Sequence, residues 1–153
     1  LGSSALGVAA LDEERFDDPR FAPFIETFRR PVARIALGRR LVGLASAAAD
    51  ISDGLIADLG HVCRASGVGA RVHTHLVPTR GGHDEAAQAL GRDPLGLVLA
   101  GGEDYELVFT APAGAAVDEI GTLIGEVTEE RGVVCLGADG AALPDAYGGF
   151  DHF

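Results

Sequence analysis

The sequence predicts an α+β fold with segregated or mixed strands, and three patterns carry that expectation. Apolar residues recur at helical spacing in several short stretches and alternate at strand spacing in others. The two kinds of stretch do not follow the regular order of a strict βαβ repeat. No internal repeat of fixed period is present. A chain of 153 residues suits one compact domain and can bury roughly 70% of its unfolded surface.

Residues 1–18 are small and then acidic, and read as a connector plus the end of an earlier helix. A short helix is expected from Pro19 to Phe28, where Phe21, Phe24, Ile25 and Phe28 make one apolar stripe. Pro31 stops it and can open the next helix, along which Val32, Ile35, Ala36 and Leu41 continue an amphipathic pattern towards Gly43. Leu44 to Ala49 is a short apolar run of strand type. From Gly54 to Ser66 a helix is expected, with Leu55, Leu59 and Val62 on one face and Gly67 as its stop. Val68 to Val77 alternates as a strand, with Ala70, Val72, Thr74 and Leu76 on one side. After a loop from Pro78 to His83, Asp84 to Leu90 and Pro94 to Leu99 read as short helices. Tyr105 to Thr110 reads as a strand ended by Pro112 and Gly114. A weak helix is expected over Val117 to Leu123. Ile124 to Val127 and Val133 to Leu136 look like a strand pair, and Ala138-Asp139-Gly140 is a turn.

Composition narrows the function. Twelve basic residues against 23 acidic ones give a net charge of −11, which repels a nucleic acid backbone. An acidic protein can still bind phosphates if cations lie between carboxylate and phosphate. Cys63 and Cys135 lack metal-type spacing and are expected as buried thiols in a reducing cytoplasm. No apolar run reaches about 18 residues, so no membrane span is expected. The start, Leu1 to Gly7, lacks the charged lead and apolar centre of a signal peptide, and the chain contains no methionine. It is expected to be a piece of a longer protein.

The most informative segment is Asp50-Ile51-Ser52-Asp53-Gly54-Leu55, between an apolar strand-like run and an amphipathic helix. Two carboxylates and a hydroxyl there lie near a helix amino terminus, which has free backbone N–H groups and partial positive charge. Such an end can receive a phosphate, yet Asp50 and Asp53 would repel one directly. Mg²⁺ removes the conflict by taking carboxylate and phosphate oxygens together. A plainer alternative is that Ser52 or Asp53 merely caps the helix. In Gly101-Gly102-Glu103-Asp104-Tyr105-Glu106-Leu107, paired glycines allow a sharp turn or a close approach to a ligand. Glu103 could face a cationic or hydrogen-bond-donating ligand; equally, the segment could be a turn with solvated acids. Gly149-Phe150-Asp151-His152-Phe153 places Phe150 where it could stack on a flat heterocycle, or dock as an apolar tail. His73 and His75 share a strand face, with no third ligand at a fitting spacing, and His61 reads as a helix-surface residue.

Together, the A-x-D-I-S-D-G-L, G-G-E-D-Y-E-L and final G-F-D-H-F motifs resemble the thiamine-monophosphate kinase family. Arg30-Pro31 and Gly67-Val68-Gly69-Ala70 add to the likeness, which runs over nearly the whole chain. The resemblance implies the wider group that includes aminoimidazole ribonucleotide synthetase and selenophosphate synthetase. It implies their carboxy-terminal α+β domain over residues 19–153, a mixed sheet with helices packed on it, with residues 1–18 joining a missing amino-terminal domain. The implied reaction moves the γ-phosphoryl of ATP onto thiamine monophosphate to give thiamine diphosphate, in the cytoplasm. By the match, Asp50 and Asp53 would bind Mg²⁺, Ser52 would contact ATP, and Glu103 and Phe150 would contact the thiamine phosphate. No residue is expected to form a covalent intermediate. The family places further metal-binding aspartates, most of the ATP site and a homodimer contact in its amino-terminal domain. No counterpart of that acid-rich motif precedes Asp50, so the isolated chain is expected to bind ATP poorly and turn over nothing measurable. The rival readings are an ATP-using synthetase of the same group with another acceptor, and a non-enzymatic module that binds a nucleotide or thiamine phosphate.

Overall fold

Aromatic residues one helical turn apart fix the first half of the fold. The computed structural model describes residues 1–117 and 119–144. Helix α1, Ser3–Asp12, lies within the stretch expected as a connector and crosses helix α2, Ala22–Arg29. Leu6, Ala9 and Ala10 of α1 bury against Phe21, Phe24 and Ile25, together with Ala86, Ala87 and Leu90. The crossing is close because Gly7 lacks a side chain; a Cβ there would collide with the Phe24 carbonyl oxygen. α1 has no cap of its own. Its first amides, Gly2 N and Ser4 N, donate to Oδ2 and Oδ1 of the buried Asp104 at 2.6 and 3.1 Å.

Helix α3, Ile35–Leu41, is shorter than expected, and its apolar pattern does not bury. Residues 31–34 are not helical, Val32 and Ile35 are 66% and 64% exposed, and only Leu41 reaches the interior. The helix begins only at Ile35, after the non-helical stretch that follows Pro31, so that stripe is not turned inwards.

Strand β1, Ala47–Asp50, leads through a turn to helix α4, Leu55–Ser66. Gly67, at φ 71°, ends that helix, and Val68 N bonds back to the Cys63 carbonyl at 3.1 Å. Strand β2, Gly69–His73, follows and closes in a 3₁₀ turn, Thr74–Leu76. The expected ten-residue strand is thus half that length; Ala70 and Val72 are buried while Leu76 points outwards. Helices α5, His83–Ala89, and α6, Pro94–Ala100, come next; Asp93 caps α6 by accepting from Leu95 N at 3.1 Å.

Strand β3, Leu107–Thr110, pairs antiparallel with β1, setting Asp50 opposite Leu107. Tyr105 does not join the strand, because its φ is 50°. Strands β4, Gly125–Thr128, and β5, Gly132–Leu136, do not pair with each other as expected. Instead β2 lies between them, antiparallel to β4 and parallel to β5. The β4–β5 connection folds over the start of β2, where the Glu130 carbonyl occupies the space a Cβ of Gly69 would need. Val117 to Leu123 is not helical in its described residues; Gly121 packs against the Phe109 ring in a turn. Among the described elements no helix is long and apolar enough to cross a membrane.

The second core lies between the two sheets and helices α4 and α6. It gathers Ile51, Leu55, Leu59, Cys63, Ala70, Val72, Val98, Leu99, Val108 and Cys135. Both cysteines are free and buried, and burial pushes both thiols above the ordinary range.

Two outcomes follow. Gly7→Ala should cost about 1–3 kcal/mol in chemical denaturation, because the added methyl forces α1 off α2. At pH 8 an alkylating reagent should label Cys63 and Cys135 only when denaturant opens the fold, as followed by mass spectrometry.

Candidate functional site

The D-I-S-D-G turn and the G-G-E-D-Y loop are bonded backbone to backbone. Ile51 N donates to the Glu106 carbonyl at 2.8 Å, Tyr105 N to the Ile51 carbonyl at 2.9 Å, and Glu103 N to the Ser52 carbonyl at 2.8 Å. These bonds carry the β1–β3 pairing past the end of both strands. They require unusual backbone: Glu103 and Tyr105 sit at φ 68° and 50°. They also require Gly102, since a Cβ there would collide with the Ser52 carbonyl oxygen. Gly54, at φ 120° and ψ 153°, turns the chain into α4, and a Cβ on it would come within 2.9 Å of the Ala100 carbonyl carbon.

This frame sorts the acidic residues. Asp50 ends β1, exposed, on the wall of a cavity of about 330 Å³ with Pro31, Ala33, Arg34, Tyr105 and Leu107. Asp53 is exposed on the turn, with Ser52 Oγ 3.3 Å from its Oδ1. The buried Ile51 separates the two aspartates and anchors the turn. Glu103 is exposed on the neighbouring loop. Among the described residues no arginine pairs with Asp50, Asp53 or Glu103. Phe150 lies outside the described residues.

The other acids of these segments serve the structure. Asp104 caps α1, as described above. Glu106 forms a two-pronged salt bridge with Arg34, which raises the Arg34 pKa further, chiefly through the hydrogen bond. Asp58, buried in the first turn of α4, accepts from Ser52 N at 2.9 Å and Asp53 N at 3.0 Å through one oxygen, Oδ2. Both amides lie before the Gly54 N-cap, so Asp58 holds the turn that leads into the helix. Sequence reasoning passed over Asp58, although an acid in the first turn of a helix is a recognisable signal. Asp104 and Gly102 carry no local signal of their tertiary partners.

Ligand atoms of Asp53, Asp58 and His61 lie within 4.8 Å of one another. Asp58 Oδ2 is engaged by two amides, and His61 Nδ1 is 2.9 Å from Arg64 Nη2. The carboxylates of Asp50 and Asp53 stay outward, Asp53 accepting from Ser52 Oγ, and are hard oxygen donors of the type Mg²⁺ takes. His73 and His75 meet edge to face, their rings 5.9 Å apart, and no third ligand gathers with them among the described residues.

Residues 1–138 match the family described as AIR synthase related protein, C-terminal domain. The thiamine-monophosphate kinase of Escherichia coli (strain K12) is 40% identical over 166 residues, covering 99% of this chain and 50% of that protein. A solved structure of AaThiL complexed with AMPPCP and TMP is 34% identical with a TM-score of 0.85, covering 100% of this chain and 48% of that one. The crystal structure of thiamine monophosphate kinase from Aquifex aeolicus is also 34% identical, with a TM-score of 0.82 over 94% and 48% of the two chains. The chain spans about half the length of the curated relatives it matches. The three-stranded mixed sheet and the helices packed on it bear out the expected fold type. With the family match running from residue 1 through β5, the chain belongs to the AIR synthase related proteins, as their carboxy-terminal domain.

Proposed function

We propose that this chain is the carboxy-terminal part of an enzyme that uses ATP and Mg²⁺ to phosphorylate thiamine monophosphate to thiamine diphosphate. One observation carries the reading. The backbone bond from Glu103 to Ser52 joins a turn bearing two exposed aspartates to a loop bearing an exposed glutamate, with no arginine paired to any of them among the described residues. Relatives of that name match nearly the whole chain, and the neighbour AaThiL holds an ATP analogue and TMP.

The residues fit Mg²⁺ by their chemistry, as two outward carboxylates in a strongly acidic protein. Bound there, Mg²⁺ would supply the positive charge that lets polyphosphate approach. Asp50 and Asp53 would hold it, and Ser52, between them, would contact the nucleotide. Glu103 would receive the thiamine phosphate, since its carboxylate suits a thiazolium cation and an amino group. Phe150 would pack on the planar pyrimidine. Transfer is in line, with no phosphoenzyme. The remaining metal-binding acids and the homodimer contact would belong to an amino-terminal part, of the length by which the relatives exceed this chain. Two unpaired buried thiols favour a cytoplasmic setting.

The test uses the full-length protein in a coupled ADP-release assay. ADP release should depend on both thiamine monophosphate and Mg²⁺, and its absence with thiamine monophosphate would sink the reading. Asp53→Asn should lower kcat by about two orders of magnitude or more. Glu103→Gln should instead act mainly on the KM for thiamine monophosphate. Quenching with labelled ATP should trap no phosphorylated protein.

A further inference from the structure

Asp58 lies beneath the candidate site and, buried as it is, reaches no substrate. It stands four residues beyond Gly54, the N-cap of α4, and reaches back over the turn. There its Oδ2 receives both Ser52 N and Asp53 N. Each bond is charge-assisted, and both lie where the helix dipole favours an anion. A peptide held at two consecutive amides cannot rotate freely, so the directions of the Ser52 and Asp53 side chains are set from below.

We infer that Asp58 is a positioning residue for the metal site: it aims Asp53 and Ser52 from beneath the turn. This rests on the function proposed above. The arrangement serves the site rather than α4 alone. A helix needing only a cap could take one from Ser52 or Asp53, whereas here both side chains are left free of backbone duty among the described residues.

The experiment compares wild type, Asp58→Asn and Asp53→Asn in the full-length protein. Asp58→Asn keeps the shape and one acceptor oxygen but loses the charge. Mn²⁺ binding, followed by electron paramagnetic resonance without substrates, should weaken by about 10- to 100-fold in Asp58→Asn, as when a group orienting a metal ligand is removed. The Mg²⁺ concentration for half-maximal rate should rise in parallel. The KM for thiamine monophosphate, set from the Glu103 side, should stay near the wild-type value. Unchanged Mn²⁺ affinity in Asp58→Asn beside weakened affinity in Asp53→Asn would overturn this inference alone. Unchanged affinity in both would overturn the metal site itself. A wild-type measurement keeps the test open should Asp58→Asn fail to fold. With ¹⁵N-serine labelling, the wild-type Ser52 amide should exchange slowly with solvent, as a donor bonded to Asp58. Exchange as fast as that of an open turn amide would show the bond to be absent and defeat the proposal.

Discussion

Everything at the candidate site depends on one constraint, the backbone ladder between Ile51–Ser52 and Glu103–Glu106. Two loops over fifty residues apart are held as though they were a continuation of one hairpin. A ladder of amide–carbonyl bonds tolerates no slack, because each bond fixes both partners within a few tenths of an ångström. Gly102 and Gly54 are the residues that make the approach sterically open. The left-handed backbone at Glu103 and Tyr105 follows from the same closeness. Such conformations cost of order 1–3 kcal/mol each and persist where surrounding bonds over-determine them.

The ladder then explains how an acidic chain keeps a few carboxylates available. Asp58, Asp104 and Glu106 each have partners close at hand: two turn amides, two amides of α1, and the Arg34 guanidinium. Asp50, Asp53 and Glu103 have none of these and face outwards among the described residues. In the first motif the outward Asp50 and Asp53 precede the structural Asp58; in the second the outward Glu103 precedes the structural Asp104 and Glu106. Charge density that looks redundant in the sequence is thereby divided between holding the loops and presenting them.

Much of the architecture was legible because it rests on local pattern. The Phe21–Phe24–Ile25 stripe, the Gly67 stop of α4, and Pro94 at the start of α6 are signals contained within one turn of helix. The misread elements share a different feature. Val32 and Ile35 have helical spacing but stay exposed, because spacing does not say whether another element covers a face. The pairing of β4 with β5 failed because adjacency in sequence is only a tendency, and Gly69 lets the connection cross over β2. At the site, the motifs themselves stood out by acid density beside glycines, whereas Asp58 looked like an ordinary first-turn acid.

By itself the sequence determined the residue types, their order, and the acidity that makes a bare phosphate unwelcome. Those properties are carried by each residue wherever it lies, so they survive without a fold. Tertiary structure alone decided which acids face outwards and which are consumed, and that Ser52 meets Glu103. The reason is that a hydrogen bond between residues fifty or a hundred positions apart is set by how helices and strands pack. Asp104 against α1 and Glu103 against Ser52 leave no trace in the spacing of either partner.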